Sequence, residues 1–267
     1  MKKQAYICIT ILMLLSISRP NAFAADENRP LAQDIIVRSD AVRNPDIPFR
    51  LNLSLTEYAD GSVRNEVILH VYSKIDQVSG QFKNLVRYMD PPRDQGKEVL
   101  MNGTTMWFYD PASKSIIRIS PQQRLVGQAS EGDVLTVNLA RDYTAGYVGQ
   151  DGGETIDDAD RVPRDCWHME LTPKNASAVY GRVEYWVEKG TYRPVKGKFY
   201  ADSGRLLKIA YYHRYKREIG VLRPTEIILI DAVNTNLVTT INSSGYQAME
   251  IPNSWYQPAF LSHLKVE

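Results

Sequence analysis

The chain has 267 residues, with 32 Lys and Arg against 31 Asp and Glu, four histidines and two cysteines. A formal charge of +1 excludes the clearly basic surface that nucleic-acid binding requires. A chain of this length buries a full core without disulfide staples.

Lys2-Lys3, the apolar run 5–17 and Ala22-Phe23-Ala24 are the positive, apolar and small-residue parts of an export signal. Residues 1–24 are therefore predicted to be removed. The apolar run stops at Arg19-Pro20, short of the roughly 20 residues that a membrane helix needs. No transmembrane segment is expected after cleavage. Loss of Lys2, Lys3 and Arg19 takes the basic count from 32 to 29 and the formal charge to −2. Residues 25–267 are expected to form one exported domain with Cys166 as its single cysteine, so an internal disulfide is impossible.

Residues 31–43 carry Leu31, Ile35, Ile36 and Val42 at helical spacing, and Asn44-Pro45 stops the pattern. From Phe49 the period becomes two. Phe49, Leu51, Leu53 and Leu55 alternate with Arg50, Asn52, Ser54 and Thr56, the pattern of a half-buried strand. Asp60-Gly61 predicts a hairpin turn, after which Val63, Val67, Leu69 and Val71 share a face. A third strand, 81–89, ends at Pro91-Pro92. Strands at 97–101, 104–109 and 115–120 follow, with a type I′ turn predicted at Asn102-Gly103 and another turn at Asp110-Pro111.

Beyond Pro121 the period changes again. Leu125, Val126, Ala129, Val134, Leu135, Val137 and Leu139 are spaced like one face of an interrupted helix, so an apolar helical flap is expected. Strands resume at 147–150, 164–171, 180–188, 193–200, 205–215, 222–231 and 236–242. The tail 251–264 is expected to lie across the sheet. Arg182, Glu184 and Glu188 oppose Val183, Tyr185 and Val187, and Lys196 and Lys198 oppose Val195 and Phe199. On a membrane barrel each such mid-strand charge would face lipid at about 2–4 kcal/mol. The charged face therefore meets water, and the expected fold is mainly β: a strongly curved antiparallel sheet with an apolar interior.

No catalytic motif emerges. The histidines lack metal-ligand spacing, and the acidic stretch 151–160 lacks the order of a calcium loop and is expected to be a solvated loop. Cys166 and His168 share a strand face, but no glycine elbow or helix start activates the thiol. No cofactor or metal is assigned. The apolar interior is the better candidate. Phe49, Leu51, Leu53, Val67, Leu69, Met101, Met106 and Phe108 are expected to bind an acyl chain or lipid. Leu125, Val126, Val134, Leu135 and Leu139 are expected to form the lid. Each buried methylene is worth about 0.8 kcal/mol, so a long acyl chain can displace such a lid.

Residues 100–143, LMNGTTMWFYDPASKSIIRISPQQRLVGQASEGDVLTVNLARDY, resemble the signature of the LolA-like outer-membrane lipoprotein-sorting proteins, in their larger, mostly uncharacterised branch. Val42-Arg43-Asn44-Pro45, the Phe49 strand, Arg193-Pro194 and residues 224–229 fit the same pattern. The resemblance implies an unclosed antiparallel β-barrel, the LolA/LolB-like half-barrel, with a helical lid, in the periplasm. It implies an acylated lipoprotein or lipid as partner, moved towards the outer membrane. An inner-membrane transporter and an outer-membrane acceptor are the further implied partners, and non-catalytic docking on such a transporter is the alternative role. The resemblance also implies an arginine that locks the lid. Arg50 and Arg64 lie on the charged face, Arg118 and Arg124 flank the flap, and the residues single out none of them.

Overall fold

The computed structural model describes residues 29–176, 178–261 and 263; the predicted export signal lies outside them. From Leu31 onward the described residues form one compact unit. It begins with helix α1 (Ala32–Arg43), which the expected spacing placed within one residue. Period-two alternation then builds β1 (Phe49–Ala59), β2 (Ser62–Ile75), β3 (Phe82–Asp90), β4 (Glu98–Asn102), β5 (Thr105–Asp110) and β6 (Ser115–Ile119). A covering segment follows, with the short hairpin β7 (Arg124–Val126) and β8 (Ala129–Ser130), a 3-10 turn at Glu131–Val134 and the one-turn helix α2 (Leu139–Asp142). The second half is β9 (Tyr143–Tyr147), β10 (Gly153–Asp157), β11 (Pro163–Pro173), β12 (Arg182–Glu188), β13 (Pro194–Tyr200), β14 (Leu206–Glu218), β15 (Val221–Asp231) and β16 (Leu237–Ala248).

Fourteen strands join in one antiparallel sheet. Its order runs from β10 through β11 to β16, crosses to β1, and continues through β2 to β6, with β9 pairing β11. The crossing is the long β1–β16 ladder, which sets Leu55 opposite Ile241. β10 and β6 end the order without meeting, so the barrel is unclosed, as expected. Phe49, Leu55, Leu69 and Val86 from the first half and Met169, Val183, Tyr185 and Leu229 from the second turn inward into one core. α1 adds Ile35 and Ile36 to it. On the other face, Ile251, Tyr256 and Leu261 of the tail pack on Leu85, Leu100 and Tyr109. The tail therefore straps β3 to β5 from outside.

The turn at Asp60-Gly61 has both φ angles positive, 50° and 76°, as a type I′ turn requires. The next turn is displaced by one residue. Asn102 pairs with Thr105 inside the ladder, and Gly103 alone has positive φ, 62°, the pattern of a type II′ turn. Asn102 is held in the strand because its side-chain amide donates to the Tyr256 carbonyl at 2.8 Å.

Three expectations need correction. The flap is not a helix over most of its length. Gly127, with φ 53°, folds its start into the β7–β8 hairpin, and its apolar residues face inward through packing rather than helical periodicity. In place of the strand expected at 147–150, β9 spans Tyr143–Tyr147, and the chain turns from Val148 on. The acidic stretch read as a solvated loop contains an edge strand, β10, paired with β11 from Gly153 to Asp157.

Candidate functional site

The apolar concavity and its cover form the candidate site. Phe49, Leu51, Leu53, Val67, Leu69 and Met106 are buried on the concave face, and Met101 and Phe108 pack half-buried against the same core. From the covering segment, Val126, Val134, Leu135 and Leu139 are buried in that core, with Leu125 half-buried beside them. The cover therefore fills much of the concave face. A cavity of about 70 Å³ remains, well below the roughly 300–1,000 Å³ of ligand pockets.

Leu135 and Leu139 line that cavity, but none of the eight expected sheet residues does. Its far wall belongs to the second half: Phe199 of β13, Ala210 and Tyr212 of β14, Leu229 of β15 and Ile241 of β16. These carry the same period-two signal as the strands of the first half. The expectation stopped at the first half because methionines and aromatics cluster there.

Polar residues on the otherwise apolar concave face hold the cover down. Ser73 and Asn84 follow the inward-facing Val71 and Phe82 at intervals of two and are both fully buried. The Asn84 amide donates to the Thr136 carbonyl at 2.9 Å and its oxygen accepts the Thr136 N–H at 3.0 Å. The Ser73 hydroxyl lies 2.8 Å from that of Thr136. Gln81 treats Asn138 in the same two-sided way, at 2.8 and 3.1 Å. Thr239 accepts the Gln128 N–H at 2.8 Å. Lys208, on the face shared with Ala210 and Tyr212, donates to the Gln128 carbonyl at 3.1 Å and pairs with the Asp133 carboxylate. Tyr180 donates to that same carboxylate. Backbone groups of the cover that would be buried without partners are thereby satisfied.

Helix α1 and its cap supply further ties. Arg43 and Asn44 both donate to the Val137 carbonyl, at 2.9 and 2.8 Å, and Asp40 accepts the Ala140 N–H at 2.8 Å. Asp40 and Arg43 also pair with each other at 2.6 Å. Burial works against the Arg43 charge, but the neighbouring Tyr185 and Asp40 more than offset it and hold Arg43 above its ordinary value. Burial raises the Asp40 carboxyl even against the pull of Arg43. The helix is positioned by Arg223, which is 2 % exposed and donates to the last carbonyls of α1, Ala41 and Val42, at 2.9 and 3.0 Å. Arg43 is thus the arginine that reaches the cover from α1. Arg50 bonds Gln247, Arg64 and Arg118 are exposed on their strands, and Arg124 sits on the cover itself. One carboxylate of the cover stands apart. Glu131 accepts from the Tyr88 hydroxyl at 2.9 Å, and burial pushes it up to about 7.

Cys166 and His168 do share a face of β11, but it is the outer one. Cys166 is buried against Trp186 and Val195, and burial pushes its thiol up to about 12. It is a protonated thiol at neutral pH. The His168 ring stacks on Trp186 at 4.1 Å and its Nδ1 meets Glu154 at 2.8 Å, so it is engaged elsewhere.

An open antiparallel barrel whose apolar hollow is filled by a tethered cover defines a class of protein built around a coverable interior. A family of uncharacterized proteins matches residues 80–263, and no curated protein matches the chain. The LolA superfamily protein NE2245 of Nitrosomonas europaea is 30% identical, over 87% of this chain and 100% of its own, with a TM-score of 0.77. A DUF1329 family protein of Desulfovibrio piger is 22% identical over 86% of this chain and 98% of its own, at a TM-score of 0.73. A putative outer membrane lipoprotein-sorting protein domain of Vibrio parahaemolyticus is 18% identical over 86% and 97%, at 0.69. The last two share the fold. The chain belongs to the LolA superfamily.

Proposed function

We propose that the protein is a periplasmic carrier that takes the acyl chains of lipoproteins or lipids into its half-barrel and moves them towards the outer membrane. The observation that carries this reading is the cover. Val134, Leu135 and Leu139 fill an apolar hollow, yet polar contacts tie the intervening Thr136 and Val137 to the sheet and α1, and such contacts are each worth only about 0.5–1.5 kcal/mol net. An acyl chain of sixteen carbons, at about 0.8 kcal/mol per buried methylene, offers the hollow a comparable apolar filling and releases the cover. Residues 1–24 would deliver the chain to the periplasm. An inner-membrane transporter as donor and an outer-membrane acceptor would complete the route.

Native mass spectrometry of the mature protein, purified gently from the periplasm, tests this. The expected result is a bound mass matching a diacyl lipid or an acylated protein. A clean unliganded mass that persists after incubation with lipid vesicles would overturn the carrier reading.

A further inference from the structure

Lifting the cover has an electrostatic consequence. Lys208 points into the barrel with its side chain only 5 % exposed, and its ammonium is paired with Asp133. Asp133 belongs to the 3-10 turn that begins the segment carrying Leu135 and Leu139. If residues 131–142 leave to admit an acyl chain, Asp133 leaves with them. Lys208 is then a buried cation left with the Gln128 carbonyl and the face of the Tyr180 ring, and with no carboxylate bonded to it. An uncompensated buried charge is strongly unfavourable, so neutral cargo alone would be opposed by the residue it uncovers.

The surroundings of Lys208 indicate what replaces the carboxylate. Beside it lies a pocket of about 230 Å³ lined by Arg124 of β7, Arg205 of the β13–β14 turn, Gln128 and Tyr180. Among the described residues neither Arg124 nor Arg205 has an ion-pair partner. The acid in the lining is Asp231, opposite Lys208 in the β14–β15 ladder. Its Oδ1 accepts the N–H groups of Val233 and Asn234 at 2.8 and 2.7 Å, and Arg124, Arg205 and Lys208 together outweigh its single negative charge. Asp133 lines the apolar cavity, Lys208 the basic pocket and Tyr180 both, so the ion pair stands at the boundary of the two spaces. With Asp133 lifted away, an apolar chamber would face a cationic mouth, the shape of a site for an amphiphile.

We infer that the cargo carries an anionic, phosphate-type head group, which takes Lys208 over from Asp133 when the cover lifts and is held at the mouth by Arg124 and Arg205. This rests on the carrier reading and narrows it to anionic phospholipid-like molecules. Arginine forks suit phosphate oxygens because they donate two parallel hydrogen bonds. The part of the cover that lifts in this proposal is residues 131–142; the β7–β8 hairpin, anchored by the Gln128 N–H on Thr239, keeps Arg124 at the mouth.

The test presents phosphatidylglycerol and diacylglycerol with identical acyl chains, singly and in the same neutral detergent, to the mature protein. Glycerol 3-phosphate is the soluble head-group arm. Affinities are read by native mass spectrometry. The expected result is at least tenfold tighter binding of phosphatidylglycerol than of diacylglycerol, with no measurable binding of glycerol 3-phosphate. Lys208→Met should shrink that preference to about twofold or less. So should the double substitution Arg124→Gln/Arg205→Gln, whose two exposed sites keep the test valid if Lys208→Met misfolds. Equal affinity for the two lipids, a preference untouched by the double substitution, or glycerol 3-phosphate binding as tightly as phosphatidylglycerol would overturn the inference. Failure of both lipids to bind would instead sink the carrier reading on which it rests.

Discussion

Replacing Asn84 with alanine isolates the tethers from the apolar packing of the cover. Asn84 is fully buried and serves three hydrogen bonds, two with the backbone of Thr136 and one from the Ser73 hydroxyl at 2.8 Å. Removing it leaves the part-buried Thr136 N–H and C=O without partners, at about 1–3 kcal/mol each. The chain can recover much of that cost by moving Thr136 into water, which is the opening motion. The equilibrium between closed and open cover should therefore shift by about 3 kcal/mol, roughly a hundredfold in population at 1.4 kcal/mol per factor of ten. Hydrogen exchange followed by mass spectrometry should show amides of 131–142 exchanging faster by that order, while β1, β2 and β15 keep their protection. Binding of a fluorescent fatty acid should tighten in parallel, because a less populated closed form reduces the competition that the ligand meets. If the protection of 131–142 falls only together with that of the central strands, the segment is a fixed part of the core and the reasoning fails.

Gly127→Ala should destabilise the covering hairpin. Gly127 has a φ of 53°, and a Cβ there would collide with Thr239 Oγ1 and crowd Glu57. A loss of about 1–3 kcal/mol is expected, read as a lower midpoint in urea; an unchanged midpoint would show that the hairpin is loosely held. Glu131 gives a pH signature. Its carboxyl moves from 4.5 to about 7 on burial, so the folded protein keeps a proton that the unfolded chain releases. The resulting stability is full below about pH 4.5 and is lost as pH rises through about 7. The shift bounds this contribution at about 3 kcal/mol. Glu131→Gln, which retains an acceptor for Tyr88, should gain stability over the wild type at pH 8 and little at pH 4.5. Urea midpoints of the two proteins that run parallel between those pH values would contradict it.

The strands of the half-barrel were legible because each buries one face, and a period of two survives any tertiary arrangement of such a sheet. Helix α1 was legible through Ile35 and Ile36 and the stop at Asn44-Pro45. The covering segment was not. Its apolar residues serve a hairpin, a 3-10 turn and a single helical turn in succession, so no one period describes them, and the spacing of Leu125 to Leu139 imitated a helix by accident. The tethers did leave a trace that went unused. Ser73, Asn84, Lys208, Arg223 and Thr239 each interrupt an apolar face at the expected interval of two. In a buried strand such an interruption needs a partner from outside the ladder, and here the partner is the cover or α1. Arg43 closes a helix whose spacing signals packing alone, so the sequence does not mark it as a tie to the cover. That the cavity lies against β13 to β16 depends on how the cover sits, which strand periodicity does not encode.

The central claim is that cargo enters by displacing the cover, and a reversible lock tests it most directly. The hydroxyl oxygens of Ser73 and Thr136 are 2.8 Å apart, close enough for cysteines at both positions to approach bridging geometry. The remaining cysteine of the predicted mature chain, Cys166, is buried on the other face of the sheet. In the Ser73→Cys/Thr136→Cys protein, acyl-chain binding should be absent when the bridge is oxidised and return on reduction. Equal binding in both states would mean that the ligand never passes beneath the cover, and the carrier mechanism proposed for this half-barrel would be wrong.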